Sequence, residues 1–568
     1  MTQPLLATLP NRPGALRAIP LGGFGEFGMN CMLIEYGGEF LMIDCGQMMP
    51  GEELPGVDSV IPDFRFIEER ADALKGIWIT HAHEDHVGAL AYLLPKLSPK
   101  IPVYAGEFTA ALLREKLRED GIEPRFTVYE GRRRYRIGAS FEVEPVAVTH
   151  STMDTFAAVV RTPAGVIVHS ADYKIDPSPP DGVAFDHYAF ARYAEEGGDG
   201  VLALFNDSTN ADRRGSCPSE IEVVPRLRQL IREAEGMVIL SCFSSALHRI
   251  QTVMNIAADA GRTVFAAGLN MERVIRVASE LEYLDIRCRY EADLRALETV
   301  PRHKRLVLTT GSQGEAMSAL SRISLGTHKF VKAQPGDTAI LSARMIPGNE
   351  RAIYTMLNNL CKCGIHVHDE RSTPGIHVSG HAYRDDLKTL INLTNPKYLV
   401  PMHGEFRQLQ THRQIGLELG FEPQEVLMLE TGDCLEFMNG AARVIGKVPH
   451  GRVLVDGKGI GDVGEVVLRD RRTLAQDGTV FVTLAIDTET GEVLSGPDIV
   501  SRGFIHEDEN EALLAEARQV VLDAIQSENP GNLEDLSVVQ AAVKKALRKL
   551  FKQRTERFPM ILPVVLEV

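Results

Sequence analysis

The chain has 568 residues and a mass of 62.6 kDa, which is long enough for three or four domain-sized units with their own cores. Hydrophobic residues make up 44% and charged residues 24%, a composition that excludes a disordered or fibrous protein. The net charge of −16 argues against non-specific affinity for polyanions, but it leaves a nucleic-acid substrate open, because bound cations add positive charge that a residue count omits.

The sequence predicts a cytoplasmic protein without a membrane partner. It has no apolar run long enough to span a membrane, and its N-terminus lacks the basic start and apolar core of a secretory signal. The eight cysteines are too scattered for a disulfide framework. Only Cys361 and Cys363 lie close together, and a lone C-x-C pair is weak evidence for a metal site, so reduced thiols are the preferred interpretation.

The first 50 residues contain Gly23, Gly25 and Gly28 at the spacing of a dinucleotide-binding fingerprint. Such a fingerprint should open a helix. Here the glycines are followed by the apolar run MNCMLIEY, the turn Gly37–Gly38 and a second apolar run, FLMID. This order predicts strand, turn and strand, with the glycines in tight turns.

Two α/β regions follow along the chain. From about residue 74 to 210, short apolar runs such as GIWIT, FEVEPVAVT and GVIVHSAD end in polar loops, with one helix candidate, VGALAYLLPKL. From 216 to 372 the alternation is more regular: HRIQTVMNIAADAG has helical spacing, and RTVFAAG and RLVLTTGSQGE indicate strands. This second region is predicted to be an inserted or separate α/β domain. Strand patterns resume at IHVSGHA and YLVPMHGE.

The C-terminal part has a different character. The segment KVPHGRVLVDGKGIGDVG, rich in glycine and charge, is predicted to be a linker, and it is followed by a strand pattern and two helical segments without a catalytic cluster. The predicted domains are 1–215 and 373–445 for a discontinuous core, 216–372 for the insertion, 446–464 for the linker and 465–568 for the C-terminal domain.

The clearest chemical motif is H-A-H-E-D-H, directly after the strand pattern GIWIT. It places His81, His83, Asp85 and His86 within six residues at the end of a strand. Two imidazoles of such a loop can bind one cation while the carboxylate and the last imidazole turn toward another. The alternative is a histidine-rich surface loop that binds no metal, and the complete pattern disfavours it.

With this motif the sequence resembles the metallo-β-lactamase superfamily, in which H-x-H-x-D-H is the signature. Asp44 in FLMIDCG, His150 in AVTHSTMD and Asp172 in HSADYKID match further motifs of that superfamily. Asp207 in LFNDSTNA, His381 in HVSGHAY and His403 in VPMHGE match the three motifs of its β-CASP branch. The phrases NDSTNA, TGSQGE, HVSGHA and VPMHGE narrow the resemblance to the ribonuclease J family, over nearly the whole chain.

The resemblance implies an α/β fold: a metallo-β-lactamase αββα sandwich, an inserted β-CASP α/β domain and a small α+β C-terminal domain. It also implies two divalent metal ions, Zn²⁺ or Mn²⁺. The expected ligands are His81, His83 and His150 for one metal, Asp85, His86 and His403 for the other, and Asp172 as the bridge. Asp44 is expected to orient metal ligands by hydrogen bonds without binding a metal itself. Catalysis is assigned to Asp85, to His381 as the general acid, and to Asp207, which orients His381.

Small residues near these motifs are candidates for substrate binding. Phe243 can stack on a base, while serine hydroxyls and backbone N–H groups can form a cup of neutral donors for a terminal 5′-phosphate. A simple turn, or core packing in the case of Phe243, is the competing interpretation. The candidate substrate-binding residues are Phe243, Ser244, Ser245, His377, Val378, Ser379, Gly380 and His381.

The predicted function is a metal-dependent ribonuclease that degrades single-stranded 5′-monophosphate RNA from 5′ to 3′, with additional endonuclease activity, in RNA maturation and decay. One alternative is a hydrolase of a small ester, thioester or lactone on the same fold. Another is a non-catalytic scaffold, although no expected ligand is missing. The resemblance also implies a homodimer through the C-terminal domain. The sequence does not identify partners in RNA degradation.

Overall fold

The computed structural model describes residues 4–6, 8–51, 53–195, 200–346, 348–457, 459–461, 463–487, 490, 492–506, 510–528 and 535–568. The chain divides into two compact units. The first consists of Met1–Met49 and Val60–Val453, and the second of Pro50–Ser59 and Leu454–Val568. The short segment from Pro50 therefore belongs with the C-terminal residues, which the sequence did not predict.

The strands of the described residues are, in chain order, β1 (Leu16–Gly22), β2 (Phe24–Gly25), β3 (Cys31–Tyr36), β4 (Glu39–Ile43), β5 (Ser59–Pro62), β6 (Leu74–Trp78), β7 (Pro102–Ala105), β8 (Arg125–Val128), β9 (Tyr135–Ile137), β10 (Phe141–Ala147), β11 (Phe156–Thr162), β12 (Gly165–His169), β13 (Val201–Asp207), β14 (Val238–Ser241), β15 (Thr263–Ala267), β16 (Tyr290–Glu291), β17 (Arg305–Thr309), β18 (Thr338–Leu341), β19 (His366–His368), β20 (Tyr398–Met402), β21 (Gly404–Glu405), β22 (Asp433–Met438), β23 (Ala441–Lys447), β24 (Arg452–Asp456), β25 (Gly459–Ile460), β26 (Thr479–Ile486), β27 (Val493–Arg502) and β28 (Met560–Glu567).

The α-helices of the described residues are α1 (Arg65–Glu68), α2 (Glu84–Val87), α3 (Leu90–Leu93), α4 (Glu107–Glu119), α5 (His187–Glu195), α6 (Val224–Glu233), α7 (Leu247–Asp259), α8 (Leu269–Glu280), α9 (Ala319–Ser324), α10 (Glu350–Lys362), α11 (Arg384–Thr394), α12 (Phe406–Glu418), α13 (Glu465–Asp477), α14 (Glu511–Gln526) and α15 (Leu536–Thr555). Among the helices that the structure describes, none is long and apolar enough to cross a membrane.

Two sheets form the centre of the first unit. One has the strand order β23-β22-β1-β3-β4-β6-β7-β8, and the other β20-β13-β12-β11-β10-β9. Apolar side chains of both sheets, such as Ile34, Leu41, Val143 and Ile167, share one buried cluster, so the sheets pack face to face. Helices α5, α11 and α12 cover the outer face of the second sheet, and α1 packs on the first through Phe66. The expected αββα sandwich is confirmed.

A third sheet lies within the insertion between β13 and β20. Its order is β16-β15-β17-β14-β18-β19, and all of its paired strands are parallel. Helices α7 and α8 bury apolar residues on one face, and α9 and α10 bury residues on the other. Parallel sheets need cover on both faces, which explains their nearly continuous apolar strands. The predicted inserted α/β domain is confirmed, with its strands between Val238 and His368.

Local expectations agree with the structure in most places. Gly23 and Gly28 lie in bends before and after β2, as predicted, whereas Gly25 belongs to β2 itself. Strands β3 and β4 are joined at Gly37 and Gly38, both with positive φ. The segment VGALAYLLPKL is instead broken into α2, α3 and a 3₁₀ turn. Pro95 lacks an N–H and cannot continue a helix interior, and Gly88 ends α2. The predicted linker contains β24 and β25.

The second unit is a small α+β structure. Its sheet has the order β27-β26-β28, antiparallel on one side of β26 and parallel on the other. Helices α14 and α15 bury Val521, Val543 and Leu547 with the inward-facing strand residues Val480 and Val482. The predicted α+β C-terminal domain is confirmed.

Candidate active site

The motif residues converge at the strand ends of the αββα sandwich. Asp44 follows β4, the H-A-H-E-D-H segment follows β6, His150 follows β10, Asp172 follows β12, Asp207 ends β13 and His403 follows β20. Asp44 and His403 have positive φ angles of 60° and 53°, a conformation that non-glycine residues adopt at a cost. The fold therefore keeps strained backbone at two residues that aim polar side chains into one site.

Three imidazoles and one carboxylate form the first ligand group. Nδ1 of His83 lies 3.0 Å from Nε2 of His81 and 3.2 Å from Nε2 of His150. Oδ2 of Asp172 lies 3.7 Å from His81 Nε2 and 3.9 Å from His150 Nε2. Atoms bound to one zinc ion at about 2.0–2.1 Å in a tetrahedron are roughly 3.4 Å apart, so these spacings suit a single cation.

Two imidazoles and two carboxylates form the second ligand group. Oδ2 of Asp85 lies 3.2 Å from Nε2 of His403 and 3.7 Å from Nε2 of His86. The same Asp172 oxygen lies 3.3 Å from His86 Nε2 and 3.6 Å from His403 Nε2. Asp172 is thus common to both groups, in the position that the sequence predicted for a bridging ligand.

The chemistry of these atoms fits metal ions. Oδ1 of Asp172 is buried and has no hydrogen-bond partner among the described residues, which is costly for a carboxylate without a cation. His81 and His150 are fully buried, so their converging nitrogens cannot be solvated by bulk water. A third set, Asp172, Asp207, His381 and His403, also brings its ligand atoms within 4.8 Å of one another. It overlaps the second group at Asp172 and His403.

The imidazoles of the first group are held neutral. Burial lowers the pKa of His83 to about 4 and lowers the pKa values of His81 and His150 well below the usual range. Neighbouring imidazoles add to this effect for His81 and His150. A neutral imidazole offers a lone pair, so the first group is prepared to bind a cation at neutral pH.

The second group has the opposite electrostatics. Burial favours the neutral form of His86 and His403, but nearby carboxylates, with Asp172 foremost, outweigh it and raise both pKa values well above the usual range. Burial likewise favours protonated Asp85 and Asp172, but the facing imidazoles hold the pKa values of both carboxyls well below their usual range. In the protein without metal, protonated imidazoles therefore supply the positive charge that a cation would bring to this group.

Asp44 and Asp207 lie behind the ligands. Asp44 Oδ2 accepts from Nδ1–H of His86 at 2.7 Å, and the backbone N–H and hydroxyl of Thr80 donate to its two oxygens at 2.8 and 2.9 Å. Asp207 Oδ2 lies 2.8 Å from Nδ1 of His381. The His381 side chain keeps 21% of its surface exposed, whereas Asp207 is buried. The pair therefore presents an oriented imidazole at the open side of the ligand groups.

The segment around Ser379 adjoins the first group. The backbone carbonyl of Gly380 accepts from Nδ1–H of His150 at 2.7 Å. Ser379 Oγ accepts from Asn210 Nδ2 at 2.9 Å and from the His381 backbone N–H at 3.2 Å. Within the part of the chain that the structure describes, this hydroxyl donates to no partner, so its proton is available to a ligand.

Cations also surround this segment. Arg344 donates to Asn210 Oδ1 at 2.5 Å, and Arg213 donates to the Tyr383 hydroxyl at 2.8 Å. Burial lowers the pKa of His377, and Arg249, Arg344 and other cations lower it further, while its buried Nδ1 has no partner among the described residues. The structure therefore adds arginines beside a segment for which the sequence predicted neutral donors alone. The physical reason is that folding brings in residues from distant segments.

Two of the other candidate substrate residues line a different groove. Phe243 is 38% exposed and, with Ser244, lines a groove of about 500 Å³ at the carboxyl ends of β14, β15 and β17. Ser379 and Gly380 are not among the residues that line this groove. Ser245 and Val378 are half-buried. The position of Phe243 disfavours the core-packing interpretation of that residue.

Sequence reasoning missed several residues of the site. Thr80 directly precedes His81, and Thr209 follows Asp207 by two positions, so both stood inside motifs that were already identified. A polar residue next to a ligand in a strand-end loop was the available signal. Asn210 was within the same motif, whereas nothing local to Arg344 marks it, because its partner lies 134 residues away.

The αββα sandwich, the inserted parallel domain and two ligand groups sharing a carboxylate define a metallo-β-lactamase-type metal-dependent hydrolase. Family models match in the same order. The metallo-beta-lactamase superfamily matches residues 24–205, the beta-CASP domain of ribonuclease J 235–360, the RNA specificity domain of Zn-dependent metallo-hydrolases 374–425, and the ribonuclease J C-terminal domain 466–568.

Similar proteins cover the whole chain. Ribonuclease J of Mycolicibacterium smegmatis is 38% identical over 100% of both chains, and ribonuclease J of Mycobacterium tuberculosis is 40% identical over 98% of each. Ribonuclease J2 of Bacillus subtilis is 36% identical over 97% of this chain and 99% of its own. The chain belongs to the ribonuclease J family. The prediction of a metal-dependent ribonuclease is thereby confirmed, and the small-molecule hydrolase and the scaffold are not supported.

One solved structure adds evidence on the fold. A protein of unknown function from Enterococcus faecalis V583 superposes with a TM-score of 0.53 at 17% identity, over 74% of this chain and 100% of that one. At this identity the likeness concerns the fold alone.

Proposed function

We propose that the protein degrades single-stranded 5′-monophosphate RNA from 5′ to 3′, also cuts internally, and serves RNA maturation and decay. The observation that carries this proposal is the His381–Asp207 pair, 2.8 Å between Nδ1 and Oδ2, beside two ligand groups that share Asp172. Hydrolysis of a phosphodiester needs a nucleophile, charge stabilisation at phosphorus and a proton for the leaving oxygen, and separate groups here can supply each.

The two ligand groups are proposed to hold Zn²⁺ or Mn²⁺. Bound there, two divalent cations supply a water of lowered pKa as nucleophile and positive charge at the phosphoryl oxygens. Asp172 keeps the two groups together, and Asp85 contributes the only carboxylate that belongs to the second group alone. Asp44 holds His86 in the orientation that turns Nε2 toward Asp172.

His381 is proposed as the general acid. Its Nδ1–H donates to the Asp207 carboxylate, which leaves Nε2 to carry the proton that is transferred. As the bond between phosphorus and the 3′-oxygen breaks, that oxygen takes the proton and leaves as a hydroxyl. Asp207 stabilises the charged imidazole before the transfer and keeps the ring aligned.

The segment Ser379–Gly380 is proposed to hold the 5′-phosphate. The free Ser379 proton can donate to a phosphate oxygen, and Arg344 and Arg213 add positive charge nearby. Because Gly380 also holds His150, a phosphate bound here would stand at a fixed distance from the first ligand group. Stepwise cleavage of one nucleotide at a time is the consequence. Phe243 and Ser244 line a separate groove that can take a base.

The test compares RNAs of one sequence with a 5′-monophosphate, a 5′-hydroxyl or a 5′-triphosphate, and resolves the products to single nucleotides. The 5′-monophosphate RNA should give a ladder ending in mononucleotides, while the triphosphate RNA resists stepwise attack because of its added bulk and charge. Internal cuts should not depend on the 5′ group. Equal exonuclease rates on the monophosphate and triphosphate RNAs would contradict recognition of the end.

A homodimer through the second unit and a cytoplasmic location are further proposals. The sheet face opposite α14 and α15 exposes Phe481, Val500, Val564 and Leu566, and apolar faces of this kind commonly pair. Phe481→Glu should convert the dimer to a monomer in light scattering. Leu269→Glu, at an exposed apolar residue of the inserted domain, is the matched control and should leave the mass unchanged.

A further inference from the structure

Two threonine hydroxyls connect buried aspartates to histidine ligands in the same pattern. Thr80 Oγ1 lies 2.9 Å from Asp44 Oδ2 and 3.0 Å from His81 Nδ1. Asp44 also accepts directly from His86. One aspartate therefore reaches two ligands of different groups, His86 by direct contact and His81 through Thr80.

The second aspartate repeats the arrangement. Thr209 Oγ1 lies 2.7 Å from Asp207 Oδ1 and 2.8 Å from His403 Nδ1. Asp207 also pairs directly with His381. Asp207 thus reaches His381 by direct contact. It reaches the ligand His403 through Thr209 and also through a longer direct contact, 3.4 Å between Oδ1 and Nδ1.

The direction of each hydrogen bond follows from the donors available. An ionised carboxylate only accepts, and a hydroxyl has a single proton. Each threonine therefore donates to its aspartate and accepts from Nδ1–H of its histidine. For Thr209 the aspartate oxygen, at 2.7 Å, is nearer than the other acceptor in reach, the backbone oxygen of His403 at 3.3 Å. This assigns Nδ1 as the nitrogen that keeps its proton in His81 and His403. Nε2 is then the nitrogen that can bind a metal ion, and it lies beside His83 Nδ1 in the first group and Asp85 Oδ2 in the second.

We propose that Thr80 and Thr209 are positioning residues. Each hydroxyl lies between a buried aspartate and a histidine, so that one aspartate fixes the orientation of a second histidine. Through Thr209, the ligand His403 and the imidazole of His381 are held by the same carboxylate. The part that concerns His381 rests on the proposed function, whereas the part that concerns metal binding does not.

The test uses Thr209→Val, which keeps the shape and removes the hydroxyl, and Thr209→Ser, which keeps the hydroxyl. Metal dissociation constants are measured by competition with a chromophoric zinc chelator, and kcat is measured separately. The valine variant should bind one of its two ions about 10–100-fold more weakly, as expected when a partner behind a ligand is lost. The serine variant should return to within a few fold of the parent. The same contrast is expected at Thr80: Thr80→Val should weaken the binding of one ion, and Thr80→Ser should bind nearly as well as the parent.

The control is Thr394→Val in α11, where a fully buried hydroxyl bonds only to backbone carbonyls, and it should leave metal affinity unchanged. Unchanged metal affinity in Thr209→Val, or equal losses with valine and serine, would overturn the proposal. Because affinity is measured without RNA, this result is independent of whether the enzyme attacks 5′ ends.

A separate observation concerns α15. Its buried side, with Val543, Leu547 and Phe551, packs in the core of the second unit. The other side exposes a set of cations that we call the basic face: Lys544, Lys545, Arg548, Lys549 and Lys552. At about 100° per residue they occupy an arc of roughly 140° along about 12 Å of helix.

Among the described residues, no carboxylate neutralises the basic face. None of its five cations forms an ion pair within the described ranges of the chain, whereas Arg554, two residues after Lys552, pairs with Glu516 of α14 at 2.7 Å. The whole chain carries a net charge of −16, so this face is a local exception. Like charges so close together repel, and a bound polyanion would relieve that repulsion.

The chemistry of the face favours RNA. A flexible phosphate chain can follow a line of lysines and an arginine without any base-specific contact. A membrane surface is disfavoured, because a helix that lies in a bilayer needs a free apolar face, and the apolar side of α15 is buried. We propose that the basic face binds backbone phosphates of the RNA substrate through residues other than those that cleave it.

The test replaces all five cations with glutamine in the full chain carrying His381→Ala, which should bind RNA and cleave slowly. Affinity for a single-stranded 30-nucleotide RNA is measured across salt concentrations. Loss of two or three phosphate contacts should lower the salt slope by about 1.4–2.1, at roughly 0.7 per phosphate for single strands. The control neutralises five exposed lysines outside the second unit: Lys100, Lys304, Lys329, Lys362 and Lys397.

Equal slopes in the two sets would overturn the proposal, since they would reflect net charge alone. An unchanged slope after neutralising the basic face would also overturn it. So would a variant that loses binding to phosphatidylserine vesicles while its binding to RNA is unchanged. These measurements concern binding only, so they remain valid if the assignment of 5′→3′ cleavage fails.

Discussion

The two ligand groups share Asp172 but differ in their other ligands and in their electrostatics. The first has three imidazoles held neutral by burial, while the second has two imidazoles whose pKa values are raised by facing carboxylates. Imidazole nitrogens suit zinc, and a set richer in carboxylate oxygens also suits manganese. Within one site, imidazoles are thus kept neutral in one group by burial and kept protonated in the other by facing carboxylates.

The largest effect should come from the residue that the groups share. Asp172→Ala removes the only carboxylate of the first group and one of two in the second, so both sites lose charge and a ligand. Cleavage should fall below detection, and elemental analysis should find fewer than the two ions per chain expected in the parent. His83→Ala should also abolish cleavage but spare the second group. Full activity in a metal-free preparation would contradict both expectations.

The variant His381→Ala tests whether this histidine is a general acid or a metal ligand. If it is the general acid, His381→Ala should slow cleavage by about 10²–10⁴-fold and change RNA affinity much less. The variant should still hold two ions per chain by elemental analysis, because its Nδ1 is committed to Asp207. Loss of one ion would instead assign His381 to the third set of possible ligands with Asp172, Asp207 and His403.

Ser379 links the first group to the RNA end. Ser379→Ala removes one hydrogen bond to a charged phosphate, a contact worth about 1.5–3 kcal/mol, so kcat/KM on 5′-monophosphate RNA should fall by roughly tenfold or more. Internal cleavage of a 5′-triphosphate RNA should stay close to the parent rate, and serves as the control. Replacing Ser379 with a bulky residue should suppress the ladder further. An equal loss in both assays would indicate a disturbed metal group, reached through Gly380 and His150.

How much the sequence predicts depends on how local the signal is. His81, His83, Asp85 and His86 stand together at a strand end, so their convergence was predictable from six residues. The resemblance added His150, Asp172 and His403, each just past a strand, and the fold with its insertion. Short helices in place of VGALAYLLPKL were predictable in principle, since Pro95 interrupts the run.

Other features had no local signal. Arg344 reaches the site only because β18 lies beside β14 in the inserted sheet and the following loop meets Asn210. The direction of the hydrogen bonds at Thr209 depends on which groups surround it in space, which spacing along the chain does not encode. The membership of Pro50–Ser59 in the C-terminal unit is likewise a matter of tertiary contacts.

The smallest expected effect, and the most discriminating for the two groups, is the response of metal content to pH. A cation entering the second group must displace the protons that the raised pKa values of His86 and His403 keep there near neutral pH. A cation in the first group meets no such competition until the pH approaches the lowered pKa values, about 4 for His83. Lowering the pH from 8 toward 5 in the presence of a chelator should therefore release one ion per chain first, with the second retained to lower pH. Asp85→Asn, which removes a carboxylate that raises the pKa of His86 and is also a ligand, should weaken that first-released site and leave the retained one unchanged. Release of both ions in a single step, or loss of the retained ion in Asp85→Asn, would show that the two groups act as one.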